Sequence, residues 1–228
     1  MSKSRIQTVF FDVGNTLTYV DLEATLRPLT KRGLRPSEEQ LRAAEKEARH
    51  TMDRLRAAGS HPNPDAEYWR IFLEQLLGSL GLDDKAIHAE VAFEWRSARN
   101  WTRVAEGTTD VLDRLSRRYE LGVISNADGT IARLLKTVGL AGYFRSIIDS
   151  GVVGHQKPSP EIFQIALKAM DADPEESVYV GDIYSVDYLG ATGVGMKAVL
   201  IDGLGIYEHL DVPKIAGLSE LEALLEKL

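Results

Sequence analysis

Thr8-Val9-Phe10-Phe11-Asp12-Val13-Gly14-Asn15-Thr16 passes from an apolar, β-branched and aromatic run straight into an acid and a glycine-containing turn. A run that short and that apolar reads as a buried strand, here Ile6 to Phe11, closed by the turn. An acid just beyond the carboxyl end of such a strand stands where open α/β sheets bind their ligands. Asp12 is therefore a candidate nucleophile, although taken alone it would be an ordinary turn former ahead of Gly14.

Outward from this stretch the pattern changes twice. From about Asp21 to Asn100 it is helical, with no strand between the helices. Ser37 and Gln40 form a capping box ahead of Leu41, Ala44, Ala48, Met52 and Leu55. Asn63-Pro64 signals another start, before Trp69, Phe72, Leu73, Leu76, Leu77 and Leu80, and Asp83 opens a fourth helix through Ile87, Val91 and Trp95. Trp69 and Trp95 read as bundle core and Trp101 as hinge packing. After Gly107 helices and strands alternate. Strands are expected at Leu121–Ile124, Ile147–Ile148, Ser177–Val180 and Lys197–Ile201, with Ser159-Pro160 starting one helix and Ser219 with Glu222 capping the last. Alternation of this kind implies a parallel sheet with helices on both faces. The expected architecture is an α/β, Rossmann-like three-layer core of residues 1–17 and 104–228, interrupted by a helical bundle over 18–103.

Composition excludes several classes. The chain of 228 residues carries a formal net charge of -7, and its basic residues are interleaved with acids, so neither nucleic acid nor an anionic membrane is an expected partner. It has no cysteine, hence no disulfide, no zinc-thiolate site and no cysteine nucleophile. Met1 to Arg5 lead into a short apolar run broken by Asp12, which fits neither a signal peptide nor a membrane span, and a cytoplasmic location is expected.

In a parallel sheet every strand delivers its carboxyl end to one edge, so distant residues converge there. The candidates are Asp12, Ser125-Asn126, Lys157 before Pro158, and Asp182 with Asp187. A carboxylate can attack phosphorus and divide hydrolysis into two steps. Three acids with no His or Cys among them call for a divalent cation with oxygen ligands, which favours Mg²⁺. A lysine and a hydroxyl can neutralise and hydrogen-bond the phosphoryl oxygens. Asp128 reads as the cap of the following helix and His155 as a loop bystander.

Asp12-Val13-Gly14-Asn15-Thr16, Ile124-Ser125-Asn126, Lys157-Pro158 and Val180-Gly181-Asp182 with Asp187 together resemble, in order, the four motifs of the haloacid dehalogenase superfamily. The helical insertion resembles that superfamily's first, helical type of cap domain (C1), which closes over the site and selects the substrate. The resemblance implies Asp12 as nucleophile and metal ligand, the Gly14 carbonyl as a second ligand, and Asp182 and Asp187 completing a Mg²⁺ site, Asp187 mainly through metal-bound water. It implies that Thr16 orients the site, that Ser125 and Asn126 contact the phosphoryl group, and that Lys157 pairs with Asp12 and the phosphate. The substrate class implied is a small phosphorylated metabolite.

Phosphatases of this superfamily usually carry a second aspartate where this chain has Gly14, to protonate the leaving oxygen. Its loss costs roughly 10²–10⁴-fold for a poor leaving group. Three explanations stand open: another group or the substrate supplies the proton, the substrate is an activated phosphate, or the fold has become a binding module. The superfamily's dehalogenases and phosphonatases lack this acid too. The metal motif disfavours the first, and the second needs a cap lysine, for which Lys31 is present.

Overall fold

In the computed structural model, which describes residues 5–57 and 65–228, Thr8–Phe11 is the first strand, β1, and all four of its residues are buried. Seven more follow: β2 (Thr18–Tyr19), β3 (Arg103–Val104), β4 (Glu120–Ser125), β5 (Ser146–Asp149), β6 (Ser177–Gly181), β7 (Lys197–Ile201) and β8 (Lys214–Ile215). Six of them form one parallel sheet in the order β5-β4-β1-β6-β7-β8, and β2 pairs antiparallel with β3. Phe10 and Phe11 point to opposite faces, as neighbours on a strand must, yet neither has any exposed surface. Both faces are thus covered, which is why these strands read as continuous apolar runs rather than alternating ones.

The chain builds the sheet outward from β1 through β4 to β5, then crosses back to place β6, β7 and β8 on the other side. In open sheets of this kind, ligands bind beyond the carboxyl ends of the strands at such a reversal. Phe10 sits opposite Gly122 of β4 and Tyr179 of β6, so Asp12 leaves the sheet between the two strands that carry Ser125 and Asp182. On one face Phe10, Ile124 and Tyr179 pack with Ile162, Phe163, Ala166 and Met170 of the helix Pro160–Met170. The expected strand at Ile6 starts its ladder at Thr8, although Gln7 still exchanges backbone hydrogen bonds with Glu176 and Glu120. β8 was too short to carry a periodic signal.

Two compact units divide the chain: the sheet unit, up to Tyr19 and from Thr102 onward, and Val20–Trp101. The latter is helical. Its first segment is two one-turn helices, Leu22–Thr25 and Arg27–Thr30, because Pro28 brings no N–H to continue the first. Glu38–Ala57 starts at the expected capping box, with Gln40 N–H on Ser37 Oγ (3.2 Å) and Ser37 N–H on Gln40 Oε1 (2.8 Å). The Asn63-Pro64 signal lies outside the described residues, and the helix that follows is described from Asp65 to Ser79. Lys85–Trp95 is capped by Asp84, one residue after the expected Asp83, because Asp84 accepts from the N–H groups of Ala86 and Ile87. Trp69 packs on Phe72, Trp95 and Trp101, with ring centroids 5.4, 5.9 and 6.4 Å away, and Trp101 Nε1 donates to the Trp95 carbonyl.

Two expected caps resolve differently. Ser159 precedes the helix starting at Pro160, but its hydroxyl donates to the Glu161 carboxylate rather than to the backbone. The Ser219–Glu222 box does not form: Leu218–Glu220 is a 3-10 turn, and Glu222 is taken by Arg114 (2.9 Å) and Arg118 (3.2 Å). Among the described residues no helix is long and apolar enough to cross a membrane.

Candidate active site

The turn after β1 is held by the backbone. Asp12 N–H continues the ladder to Val180 (2.8 Å), Leu17 and Thr18 N–H both reach the Val13 carbonyl (2.9 Å), and Asn15 N–H reaches Thr18 (2.7 Å). Asn15 takes the left-handed region, φ 54°, which asparagine tolerates better than most residues. In that conformation its side-chain amide donates to Asp182 Oδ2 at 3.2 Å.

Lys157 is the centre of the cluster. Its ammonium has three protons and three acceptors: Asp12 Oδ1 (2.8 Å), Asp187 Oδ1 (2.7 Å) and the Tyr179 hydroxyl (2.7 Å). Ser125 Oγ donates to the same Asp12 oxygen at 3.0 Å. Asp12 Oδ1 is thus fixed from two sides, while Oδ2 accepts no hydrogen bond from any described residue. Asp187 is engaged at both ends, since its Oδ2 accepts from the N–H groups of Asp182 (3.1 Å) and Ile183 (2.9 Å). A π turn, Tyr184–Tyr188, swings Asp187 back over the end of β6. Gly181 makes room for it, because a β-carbon there would lie 2.5 Å from the Asp187 carboxyl carbon.

Two loops lock face to face beside this cluster. Asn126 Nδ2 donates to the Lys157 carbonyl (3.0 Å) and its Oδ1 accepts from Lys157 N–H (2.7 Å), so the amide of Asn126 is spent on placing the lysine. Ser150 Oγ binds both the N–H (2.9 Å) and the carbonyl (3.0 Å) of Ala127. Asp149, at the end of β5, accepts from the N–H groups of Gly129, Ile131 and Gly151. Asp149, not Asp128, therefore caps the helix Ile131–Thr137; Asp128 accepts only from the Thr130 hydroxyl. A short polar residue just before a helix is the usual cap, but here the buried strand end reaches the same N–H groups first.

Burial dominates the electrostatics. It raises the carboxyl of Asp12 from 3.8 to about 6; Lys157 opposes the rise, while Asp187 and Asp182 add to it. For Lys157, burial acts to lower the pKa, but Asp12 and Asp187 outweigh it and the ammonium stays charged above the ordinary lysine range. Burial, then Asp187 and Asp12, push the Tyr179 phenol well up, so it remains a donor. Tyr19 on β2 is raised by burial and by Asp182. Asp12, Asp182 and Asp187 each offer one carboxylate oxygen, all within 4.8 Å of one another. Three acids against one ammonium leave an excess of negative charge among oxygen donors only, and that donor set fits a hard divalent cation.

The structure thus brings together Asp12, Ser125, Lys157, Asp182 and Asp187. Thr16 is fully buried in the turn, and its hydroxyl has no hydrogen-bond partner among the described residues. His155 is exposed in its loop. Asn15 and Tyr179 also bond within this cluster, and the sequence motifs assign neither of them a role.

Residues 6–195 match the family model of the haloacid dehalogenase-like hydrolases. The chain belongs to this family. As a haloacid dehalogenase-like hydrolase it is 31% identical over 177 residues to human haloacid dehalogenase-like hydrolase domain-containing protein 3, a match covering 74% of this chain and 70% of that one. It is 38% identical over 128 residues to the glyceraldehyde 3-phosphate phosphatase of Methanothermobacter thermautotrophicus, covering 52% of this chain and only 56% of that relative's length. Among solved structures, the magnesium-bound HAD-hydrolase YfnB of Bacillus subtilis aligns with a TM-score of 0.72 over 97% of this chain and 99% of its own, at 21% identity. That likeness concerns the fold.

Proposed function

We propose that this hydrolase is a Mg²⁺-dependent phosphatase of small phosphorylated metabolites, working through an aspartyl phosphate on Asp12. The observation that carries the reading is the asymmetry of the Asp12 carboxylate, with Oδ1 held by Ser125 and Lys157 and Oδ2 left open. Oδ2 attacks phosphorus, the bond from phosphorus to the leaving oxygen breaks, and that oxygen takes up a proton. Water then attacks the acyl phosphate, releasing inorganic phosphate and restoring the carboxylate. Lys157 and Ser125 hold Oδ1 so that the attacking oxygen meets phosphorus without searching for its orientation. Asp12, Asp182 and the Gly14 carbonyl would hold the cation, with Asp187 beside them. Bound Mg²⁺ supplies positive charge for the phosphoryl oxygens. The phosphatase name of the archaeal relative supports the reaction class.

A second reading, a binding or regulatory protein on the same fold, rests on Gly14, which offers no acid for the leaving group. An aryl phosphate whose phenolate departs unprotonated separates the two. With Mg²⁺ the protein should hydrolyse p-nitrophenyl phosphate, EDTA should abolish the activity, and Asp12→Asn should lower it by roughly 10³-fold or more. Beryllofluoride with Mg²⁺ should label Asp12. Absence of both turnover and labelling in the folded, Mg²⁺-loaded protein selects the binding reading.

A further inference from the structure

One buried side chain in the cluster belongs to none of the sequence motifs. Tyr179 lies in the middle of β6 with no exposed surface, and its ring packs edge-on against Phe163 at 5.4 Å. Its hydroxyl accepts from Lys157 Nζ at 2.7 Å and donates to the carbonyl of Ile124 at 2.8 Å. The ammonium also lies 5.2 Å from the centroid of the same ring. β6 and β4 are not neighbours, because β1 runs between them. The Tyr179–Ile124 bond therefore ties together the two strands flanking β1, one residue before Ser125.

We propose that Tyr179 is a positioning residue for catalysis, fixing the direction of the Lys157 ammonium toward Asp12 Oδ1. Lys157 donates three hydrogen bonds from a freely rotating head, so one anchored acceptor fixes where the other two protons point. Asp187 is such an acceptor and sets that rotation, but the four-carbon stem also lets the nitrogen itself swing, so a second anchor is needed to hold its position toward Asp12. Tyr179 is suited to that task because a fully packed ring has no rotamer freedom and its hydroxyl is itself held by Ile124. The same count has a consequence for substrate. With all three protons in use, Lys157 reaches a phosphoryl oxygen only by releasing one partner, and the Tyr179 bond keeps the ammonium in place while Asp12 changes from carboxylate to acyl phosphate. Misplacement of a catalytic group by even about 1 Å costs on the order of 10²-fold.

This inference rests on the phosphatase reading. The test is Tyr179→Phe, which removes one oxygen and keeps the ring, assayed with Mg²⁺ and p-nitrophenyl phosphate beside the parent protein. The expected result is a kcat about tenfold or more below the parent with KM within about twofold. In a Lys157→Met background the same substitution should change the residual kcat less than about twofold, because the tyrosine's proton is committed to Ile124 (2.8 Å) and its hydroxyl stands farther from Asp187 Oδ1 (3.3 Å) than from the ammonium (2.7 Å). A folded Tyr179→Phe protein with parental kcat overturns the proposal, as does an equal loss in both backgrounds. An inactive parent overturns the phosphatase reading instead. If the variant does not fold, the parent protein decides: a slowly exchanging Tyr179 hydroxyl proton with a nuclear Overhauser contact to the Lys157 ε-methylene is expected by NMR, and its absence overturns the proposal.

Discussion

At Asp12 one carboxylate oxygen accepts two hydrogen bonds and the other accepts none from the described residues, which leaves one atom for chemistry, set among two more acids. Its elevated pKa has a measurable consequence for stability. Between 3.8 and about 6 the folded protein holds a proton on Asp12 that the unfolded chain has released. The metal-free protein should therefore lose stability as pH rises across that window and level off above it. Urea midpoints measured in EDTA should show this decline in the parent and not in Asp12→Asn. Mg²⁺ should reverse it, because cation and proton compete for the same oxygens, so the midpoint gain on adding Mg²⁺ should be larger at pH 7 than at pH 5. Equal gains at both pH values would place the cation elsewhere.

At the scale of elements, the residues that matter most for placing the site are often outside the motifs. Asp149 ends β5 and satisfies three backbone N–H groups, two in the loop after β4 and its helix and one at Gly151. Gly151 itself lies so close that a β-carbon would sit 2.7 Å from the backbone of Asp128 and Gly129. Asp149→Ala should cost roughly 1–3 kcal/mol, since Gly129 and Gly151 are exposed and only the Ile131 N–H is left unpaired in a buried site, at about 1–3 kcal/mol. Urea unfolding with an unchanged m-value is the check, and a loss below about 1 kcal/mol would mean that the loop is held by other contacts. The strands of the sheet were legible because burial on both faces makes them short unbroken apolar runs, and the motif residues were legible because they sit just past those runs. What was not legible depends on through-space competition. Nothing local says that Arg114 and Arg118 will take Glu222 from its capping box, or that a strand tyrosine will turn its hydroxyl onto a lysine 22 residues away in sequence. Pro28 did carry a signal of its own, the missing N–H that divides the first helical segment in two.

Across the whole molecule, the sheet brings Asp12, the groups that hold it and two further acids together from four separate stretches of chain, and under the proposed phosphatase reading Gly14 stands where the leaving oxygen needs a proton. Among the described residues hydrogen-bonded within the Asp12 cluster, the protonated groups are Ser125, Lys157 and Tyr179, and each already donates to a fixed acceptor. Hydrolysis should therefore depend on how readily the leaving group departs unaided. Across a series of substituted phenyl phosphates, log kcat/KM should fall steeply with leaving-group pKa, and alkyl phosphates should be slower than aryl ones by roughly 10²-fold or more. Gly14 is not among the glycines with positive φ, so its backbone conformation is open to an L side chain. Gly14→Asp should then flatten the slope and raise alkyl phosphate turnover by roughly 10–10³-fold, provided Mg²⁺ binding is retained. A parent slope that is already flat would mean that an acid reaches the leaving oxygen from beyond the Asp12 cluster, either from the substrate itself or from another part of the chain. In that case Gly14→Asp should bring no gain, because the proton would already be supplied.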